Sequence, residues 1–239
     1  MDTNESRIEA PGPTEAPGPT EAQIHAAADS YQGPMLAAYD WVVLGLVSRL
    51  VWRCPRRTML AHYNRQVGGN HLDIGPGTGW FLDKCRFPAQ SPSITLLDLN
   101  DVVLTTAARR IRRYRPITRT GDVFKPLELG AARFDSVGMN FLLHCLPGSV
   151  RQKSVVFDHV TPFLAPGARV FGSTVLGSAA PEHTKVSSKL LWRLNSSDVF
   201  SNTDDTRDAI AHELSARFTE VEIKQSGTVC LFSARFPGA

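Results

Sequence analysis

His71-Leu72-Asp73-Ile74-Gly75-Pro76-Gly77-Thr78-Gly79 lies about a third of the way along this 239-residue chain, and the rest of the sequence organises around it. Residues 71–74 read as a short buried strand, three glycines follow in a G-x-G-x-G spacing, and a helical pattern begins at Thr78. A strand running through such a turn into a helix aims backbone N–H groups and the positive helix end at whatever occupies the crevice. Gly75, Gly77 and Gly79 let the main chain turn tightly and let a ligand approach without an obstructing Cβ.

Outward from that turn the pattern alternates. Helix is expected over Thr78–Arg86, strand over Ile94–Leu97, helix over Val102–Tyr114, and strands over Ile117–Gly121 and Phe134–Asn140. A helix around Val150–Leu164 and a strand over Arg169–Val175 follow. Such alternation predicts right-handed βαβ units and a doubly wound, mostly parallel sheet covered on both faces. At the C-terminal end, Val221–Lys224 and Thr228–Ala234 are separated only by a Ser226-Gly227 turn, too short for a crossover, so they are expected to pair as an antiparallel hairpin. Upstream of the turn, Leu36, Tyr39, Val43, Leu46, Val47 and Leu50 fall at helical spacing. Pro55 should end that helix, and a second should run from Arg57 to the Gly68-Gly69 pair.

Composition narrows the class. The chain is 42% hydrophobic and 21% charged, with a net charge of +3, which excludes global disorder and fibrous repeats. That charge is unevenly placed: residues 1–29 hold six acids and one base, leaving 25 bases against 17 acids in the remainder. Alternating Pro and Gly in the direct repeat Ala-Pro-Gly-Pro-Thr-Glu, at 10–15 and 16–21, make residues 1–28 a tail expected to be flexible. Cys54, Cys85, Cys145 and Cys230 show no C-x-x-C pair and no metal-ligand spacing, so neither zinc nor a disulfide framework is expected. The first thirty residues have no apolar signal core, and Asp40 and Arg49 interrupt the longest apolar stretch, so neither secretion nor a membrane span is expected. A cytoplasmic location follows as the default.

Asp98 ends the strand after the glycine turn, where an acid can accept hydrogen bonds from both ribose hydroxyls of a nucleoside. Asp122 follows the third strand, placed to receive an adenine amino group. A dinucleotide oxidoreductase shares the glycine turn and ribose acid, but the G-x-G-x-G spacing and the terminal hairpin argue against it.

The ordered pieces Asp73-Ile74-Gly75-Pro76-Gly77-Thr78-Gly79, Leu97-Asp98-Leu99-Asn100, Gly121-Asp122-Val123 and Phe134-Asp135-Ser136-Val137-Gly138-Met139-Asn140 resemble the class I S-adenosylmethionine-dependent methyltransferases. That resemblance covers about residues 70–235 and implies a Rossmann-like, seven-stranded sheet with an antiparallel last strand, with S-adenosyl-L-methionine as cofactor. With the repeat-bearing tail 1–28 set apart, the rest is read as one methyltransferase domain, 29–239, with the upstream helices as a helical cap at 29–69 and the long insertion at 177–206 as an expected substrate lid. The resemblance also implies that Asp73 and the glycine turn contact the methionine moiety, Asp98 with Leu99 the ribose, Asp122 with Val123 the adenine, and Asn140 the methionine amino group. Tyr39 is expected to close over the cofactor from the cap.

Methyl transfer is an in-line displacement, so acceptor positioning and removal of one proton are the remaining tasks. His144, in the loop leaving the fourth strand, is the candidate general base or acceptor-orienting group. Tyr31, His183 and Trp192 are candidate acceptor contacts. No Asn-Pro-Pro-aromatic run, paired-glutamate loop or set of metal-binding carboxylates is present, which leaves a small, fairly apolar acceptor and no metal. The segments Tyr39-Asp40-Trp41, Val51-Trp52-Arg53-Cys54-Pro55, Asn70-His71-Leu72-Asp73 and Leu142-Leu143-His144-Cys145-Leu146-Pro147-Gly148 are similar to small fungal polyketide methyltransferases, implying O-methylation of an α-pyrone hydroxyl. Two other readings stand beside it. The Arg109-Arg110-Ile111-Arg112-Arg113-Tyr114-Arg115 run with Arg49, Arg53, Arg56 and Arg57 would suit RNA or another polyanion, although it falls on an outer helix. A protein that binds the cofactor without transferring its methyl group would carry the same motifs.

Overall fold

The computed structural model describes residues 19–21 and 46–238. Residues 29–45 of the expected cap, with Tyr31 and Tyr39, lie outside them. A single helical turn at Ser48–Leu50 leads to Pro55, whose fixed φ starts α1 (Arg56–Gln66). Then follow β1 (Asn70–Ile74), α2 (Trp80–Lys84), β2 (Ser93–Asp98), α3 (Asp101–Arg110), β3 (Ile117–Thr120) and β4 (Phe134–Asn140). The second half contains α4 (Val150–Lys153), α5 (Val155–Val160), β5 (Leu164–Val175), α6 (Lys185–Ser196), α7 (Arg207–Ser215), β6 (Thr219–Ser226) and β7 (Val229–Arg235).

One seven-stranded sheet runs in the order β3-β2-β1-β4-β5-β7-β6. β7 is antiparallel to both β5 and β6, and every other pairing is parallel. The chain winds outward from β1 to one edge and then back to β4 on the other side. That reversal opens a crevice at the carboxyl ends of β1 and β4.

Successive residues of β5 show why both faces are covered. Val170 packs in the core beneath α5 and α7 with Leu72, Phe157, Leu214 and Phe232, whereas Phe171 packs on the opposite face with Tyr63, Leu82, Leu96 and Ala107. A third apolar cluster joins Trp52, Phe141, Leu191, Phe200 and Val229 at the end of the sheet where the chain returns.

Several boundaries differ from the sequence expectation for local reasons. The helix expected from Thr78 begins at Trp80, because Gly79 occupies its N-cap with φ +75°. The helix expected to reach Tyr114 ends at Arg110 and tightens into a 3-10 turn before Arg115, at φ +51°. The single helix expected over 150–164 is two short helices broken at Ser154, whose hydroxyl shares its proton between Arg151 O at 2.7 Å and Glu213 Oε2 at 2.9 Å. Pro162 cannot donate to a continuing helix, and the chain enters β5 at Leu164, earlier than the expected Arg169.

Candidate active site

At the end of β1 the three glycines adopt left-handed backbone, with φ +65° at Gly75, +54° at Gly77 and +75° at Gly79. Gly75 N–H bonds to Leu97 O at 2.9 Å, tying the turn to β2. A Cβ at Gly77 would meet nothing within 4 Å, so this glycine leaves its side of the cleft open to a ligand. Gly79 does not line the cleft; its Cβ would lie 3.1 Å from Ala107 Cα, so its contribution is close packing of the turn on α3.

Asp73, Gly75, Gly77, Asp98, Leu99, Asp122, Val123 and Asn140 line one cleft across the carboxyl ends of the strands. Burial pushes the Asp98 carboxyl up to about 6, against the opposing effect of backbone N–H bonds from Asn100 and Leu99. The Asn100 N–H bond measures 2.8 Å. Asp122 accepts from Phe124 N–H at 2.9 Å, which orients it at the start of its turn. Asn140 accepts from Ser173 Oγ at 3.0 Å, while its buried Nδ2 has no partner among the described residues. A buried amide donor without an acceptor is costly, and a bound ligand group at this position would satisfy it. The cleft therefore combines carboxylate acceptors, an unpaired amide donor and the N–H groups of a glycine turn, a set that fits a nucleoside bearing an amino-acid arm.

Trp80, Phe81, Phe141, Leu142, Cys145, Leu146 and Pro147 also line the cleft; the first three were not singled out by sequence, and the other four belong to the 142–148 segment that carried the family resemblance without being assigned a site role. Their only local signal is position, directly after the glycine turn or after β4. Arg56 lies over the Trp80 ring at 5.4 Å. Phe141 leaves β4 at φ +58°, a conformation a bulky residue adopts only when its surroundings hold it, and its N–H bonds to Ser173 O at 2.7 Å.

His144 is buried and does not line the cleft. Its Nδ1 accepts from Val175 N–H at 3.2 Å and lies 3.1 Å from Thr174 Oγ1, which directs the ring toward β5. Burial, aided by the nearby Lys153 charge, pushes its pKa down to about 3. His183 is likewise outside the cleft, placed against Ser187 Oγ (3.1 Å) and Leu176 O (3.2 Å). Trp192 is 70% exposed on α6, also outside it.

The excursion 177–206 returns to the sheet through specific contacts. Asn202 Nδ2 donates to Val175 O at 2.8 Å, Ser201 N–H to His144 O at 2.8 Å, and Lys153 Nζ to both Asp205 oxygens at 2.9 and 2.7 Å. Within the arginine run, Arg110 bonds Thr78 Oγ1 at 2.8 Å and Arg113 bonds Asp83 Oδ1 at 2.6 Å. Those two guanidinium groups brace the glycine turn and α2.

Residues 72–170 match the family model described as a methyltransferase domain. The chain is 39% identical over 210 residues to the physcion biosynthesis cluster O-methyltransferase of Aspergillus chevalieri, covering 87% of this chain and 93% of that protein. It is 37% identical over 207 residues to demethylluteothin O-methyltransferase of Streptomyces thioluteus, covering 85% and 88%. The fold is similar to the N-methyltransferase NodS of Bradyrhizobium japonicum WM9, crystallised with S-adenosyl-L-homocysteine, at a TM-score of 0.62 and 17% identity over 90% of this chain and 98% of that one. With the strand order, the glycine turn and the carboxylates at strand ends in place, the chain belongs to the class I S-adenosylmethionine-dependent methyltransferases.

Proposed function

We propose that this enzyme O-methylates an acidic hydroxyl of a small, largely apolar secondary metabolite such as a polyketide α-pyrone. The observation that carries this reading is the wall formed by Trp80, Phe81, Phe141, Leu142, Leu146 and Pro147, which adjoins Asn140 and offers a flat, conjugated acceptor apolar surface. The names of the two relatives, both O-methyltransferases, support the choice of oxygen.

When bound, S-adenosylmethionine supplies an electrophilic methyl group on a sulfonium. Asp98, with Leu99 beside it, would accept from the ribose hydroxyls, and Asp122 with Val123 would hold the adenine. Asp73, the Gly75–Gly77 turn and Asn140 would hold the amino-acid arm, with Asn140 Oδ1 able to accept from the ammonium group and Nδ2 able to donate to a carboxylate or acceptor oxygen. Desolvation of the transfer zone by the aromatic wall would sharpen these polar contacts. His144, pointed at β5, would set the shape of the loop carrying Phe141 and Cys145 and would not remove the proton. An enolic hydroxyl loses its proton near neutral pH unaided, so orientation would dominate. The 177–206 excursion would wall the acceptor end. This reading places the protein in the cytoplasm with a small-molecule acceptor; Arg110 and Arg113, engaged with Thr78 and Asp83, favour it over a nucleic-acid partner.

The test is incubation of the purified full chain with S-adenosylmethionine and, separately, a 4-hydroxy-2-pyrone, a catechol, a primary amine and a short RNA. Mass spectrometry should show a one-methyl increment on the pyrone. Methylation confined to the amine or the RNA would reject the proposal.

A further inference from the structure

Beneath the glycine turn, a buried polar chain ends on Asp73. Tyr63, on α1, donates its hydroxyl to Asp73 Oδ2 at 2.7 Å, and the same phenol oxygen lies 2.8 Å from His71 Nε2. A phenol has one proton, so with Tyr63 donating to Asp73 its oxygen accepts from His71 Nε2–H, which also lies 3.3 Å from Asp73 Oδ2. Nδ1 lies 2.8 Å from Ser136 Oγ, which accepts from Gly68 N–H at 2.7 Å. The chain of contacts leads from the Gly68 backbone to a single carboxylate oxygen.

Tyr63, His71 and Ser136 are fully buried and Asp73 is 4% exposed. Burial and the adjacent Asp73 hold the phenol proton well above the usual tyrosine range. Tyr63 stacks on Phe81 at 5.6 Å and His71 on Phe171 at 5.9 Å, so neither ring can swing away. On β4 the residue paired with Asp73 is Gly138, where a Cβ would lie 3.1 Å from His71 Cε1 and 3.2 Å from Asp73 Oδ2. Residues of α1, β1 and β4 thus surround one oxygen of a residue that lines the cleft. Among the described residues none hydrogen-bonds to the other oxygen, Oδ1.

We propose that Tyr63, backed by His71 and Ser136, is a positioning residue for the cofactor's amino-acid arm: by engaging Oδ2 it stops rotation of the Asp73 carboxylate and presents Oδ1 to the ammonium group. This rests on the reading of Asp73 given above. A carboxylate held in one rotamer before binding does not lose that freedom on binding, and the gain applies only to a ligand that carries the arm.

Calorimetric titration of the full chain with two ligands tests it: S-adenosylhomocysteine, which carries the amino-acid arm, and 5′-methylthioadenosine, which lacks it. Tyr63→Phe keeps the ring and its stacking but removes the bond to Asp73. Its affinity for S-adenosylhomocysteine should fall about tenfold while that for methylthioadenosine stays within about twofold. Ser136→Ala, at the far end of the relay, should show the same selective loss at smaller size, and it decides the matter if Tyr63→Phe does not fold. Unchanged S-adenosylhomocysteine binding in Tyr63→Phe overturns the proposal, and so does equal weakening for both ligands, which is what a packing defect produces. Asp73→Asn separates the two levels. If it weakens S-adenosylhomocysteine selectively while Tyr63→Phe does not, the reading of Asp73 stands and the relay fails; if it does not discriminate the ligands, the reading itself fails.

Discussion

Burial sets Asp98 and His144 in opposite directions, and each has a measurable consequence. The Asp98 carboxyl, raised to about 6, binds a proton in the folded chain at pH values where the unfolded chain has already lost it. Folding stability from this group therefore declines as pH rises from about 4 to 6, and the charged form carries a cost at neutral pH. Asp98→Asn should raise the melting temperature of the ligand-free protein at pH 7, by the equivalent of about 1 kcal/mol for a partly exposed side chain. The same change should weaken S-adenosylhomocysteine binding and remove its dependence on pH, whereas wild-type affinity should fall as pH drops through about 6; titration calorimetry from pH 5 to 8 reads both. His144 is depressed to about 3, so the unfolded chain binds the extra proton between about 3 and 6.5, and stability is lost as pH falls through that window, on the order of 3–5 kcal/mol in full. In turnover, His144 should contribute no ionisation between pH 5 and 9. His144→Gln should lower the rate while leaving the shape of the pH–rate curve unchanged, and a lost alkaline or acid limb would restore the base role.

At the scale of elements, the excursion between β5 and α7 is held by a buried ion pair that no sequence pattern announced. Lys153 on α4 and Asp205 at the end of the excursion are 1% and 4% exposed. Burial draws the ammonium pKa down and the carboxyl pKa up, and their mutual attraction opposes both shifts. Lys153 also donates to Ser201 O, and Ser201 N–H returns to His144 O, so the pair staples the excursion to the loop after β4. Lys153→Met should destabilise the fold by about 3–5 kcal/mol because it strands a buried carboxylate, and the added change Asp205→Leu should recover most of that loss. Chemical denaturation of the two single variants and the double variant measures the coupling. A double variant as unstable as the sum of the singles would show that the pair acts independently of its charge.

For the whole molecule, membership of the family commits the chain to one cofactor. A ligand that binds the native chain alone stabilises it by mass action, about 2.7 kcal/mol at a hundredfold excess over Kd. S-adenosylhomocysteine at that concentration should raise the melting temperature by roughly 5–10 °C for a domain of this size, and NAD should leave it unchanged. A shift with NAD instead would contradict the family assignment. The overall charge matters less than its placement: Arg110 and Arg113 are spent on Thr78 and Asp83, and Glu21 of the acidic N-terminal stretch meets Lys125 at 2.8 Å beside the Asp122 turn.

What was legible in the sequence depended on local rules. The glycine turn, the acids at the ends of β1 and β2 and after β3, Asn140 at the end of β4 and the terminal hairpin are each written within a few neighbouring residues, because turn chemistry, strand alternation and loop length act locally. Those signals sufficed for the order of elements and for eight of the residues that line the cleft. Orientation was another matter. His144 and His183 occupy the expected loops yet face away from the cleft, and Gly79 serves α3 packing, because a side chain's direction follows from what packs against it. Tyr63, Ser136 and the Lys153–Asp205 pair were invisible for the same reason: their partners lie 8 to 68 residues away along the chain, and only closure of the sheet brings them together. The sequence by itself determined the fold and the crevice at the strand ends; the tertiary structure decided which polar groups inside it are free to act, since burial and long-range contact set the availability of every proton and lone pair.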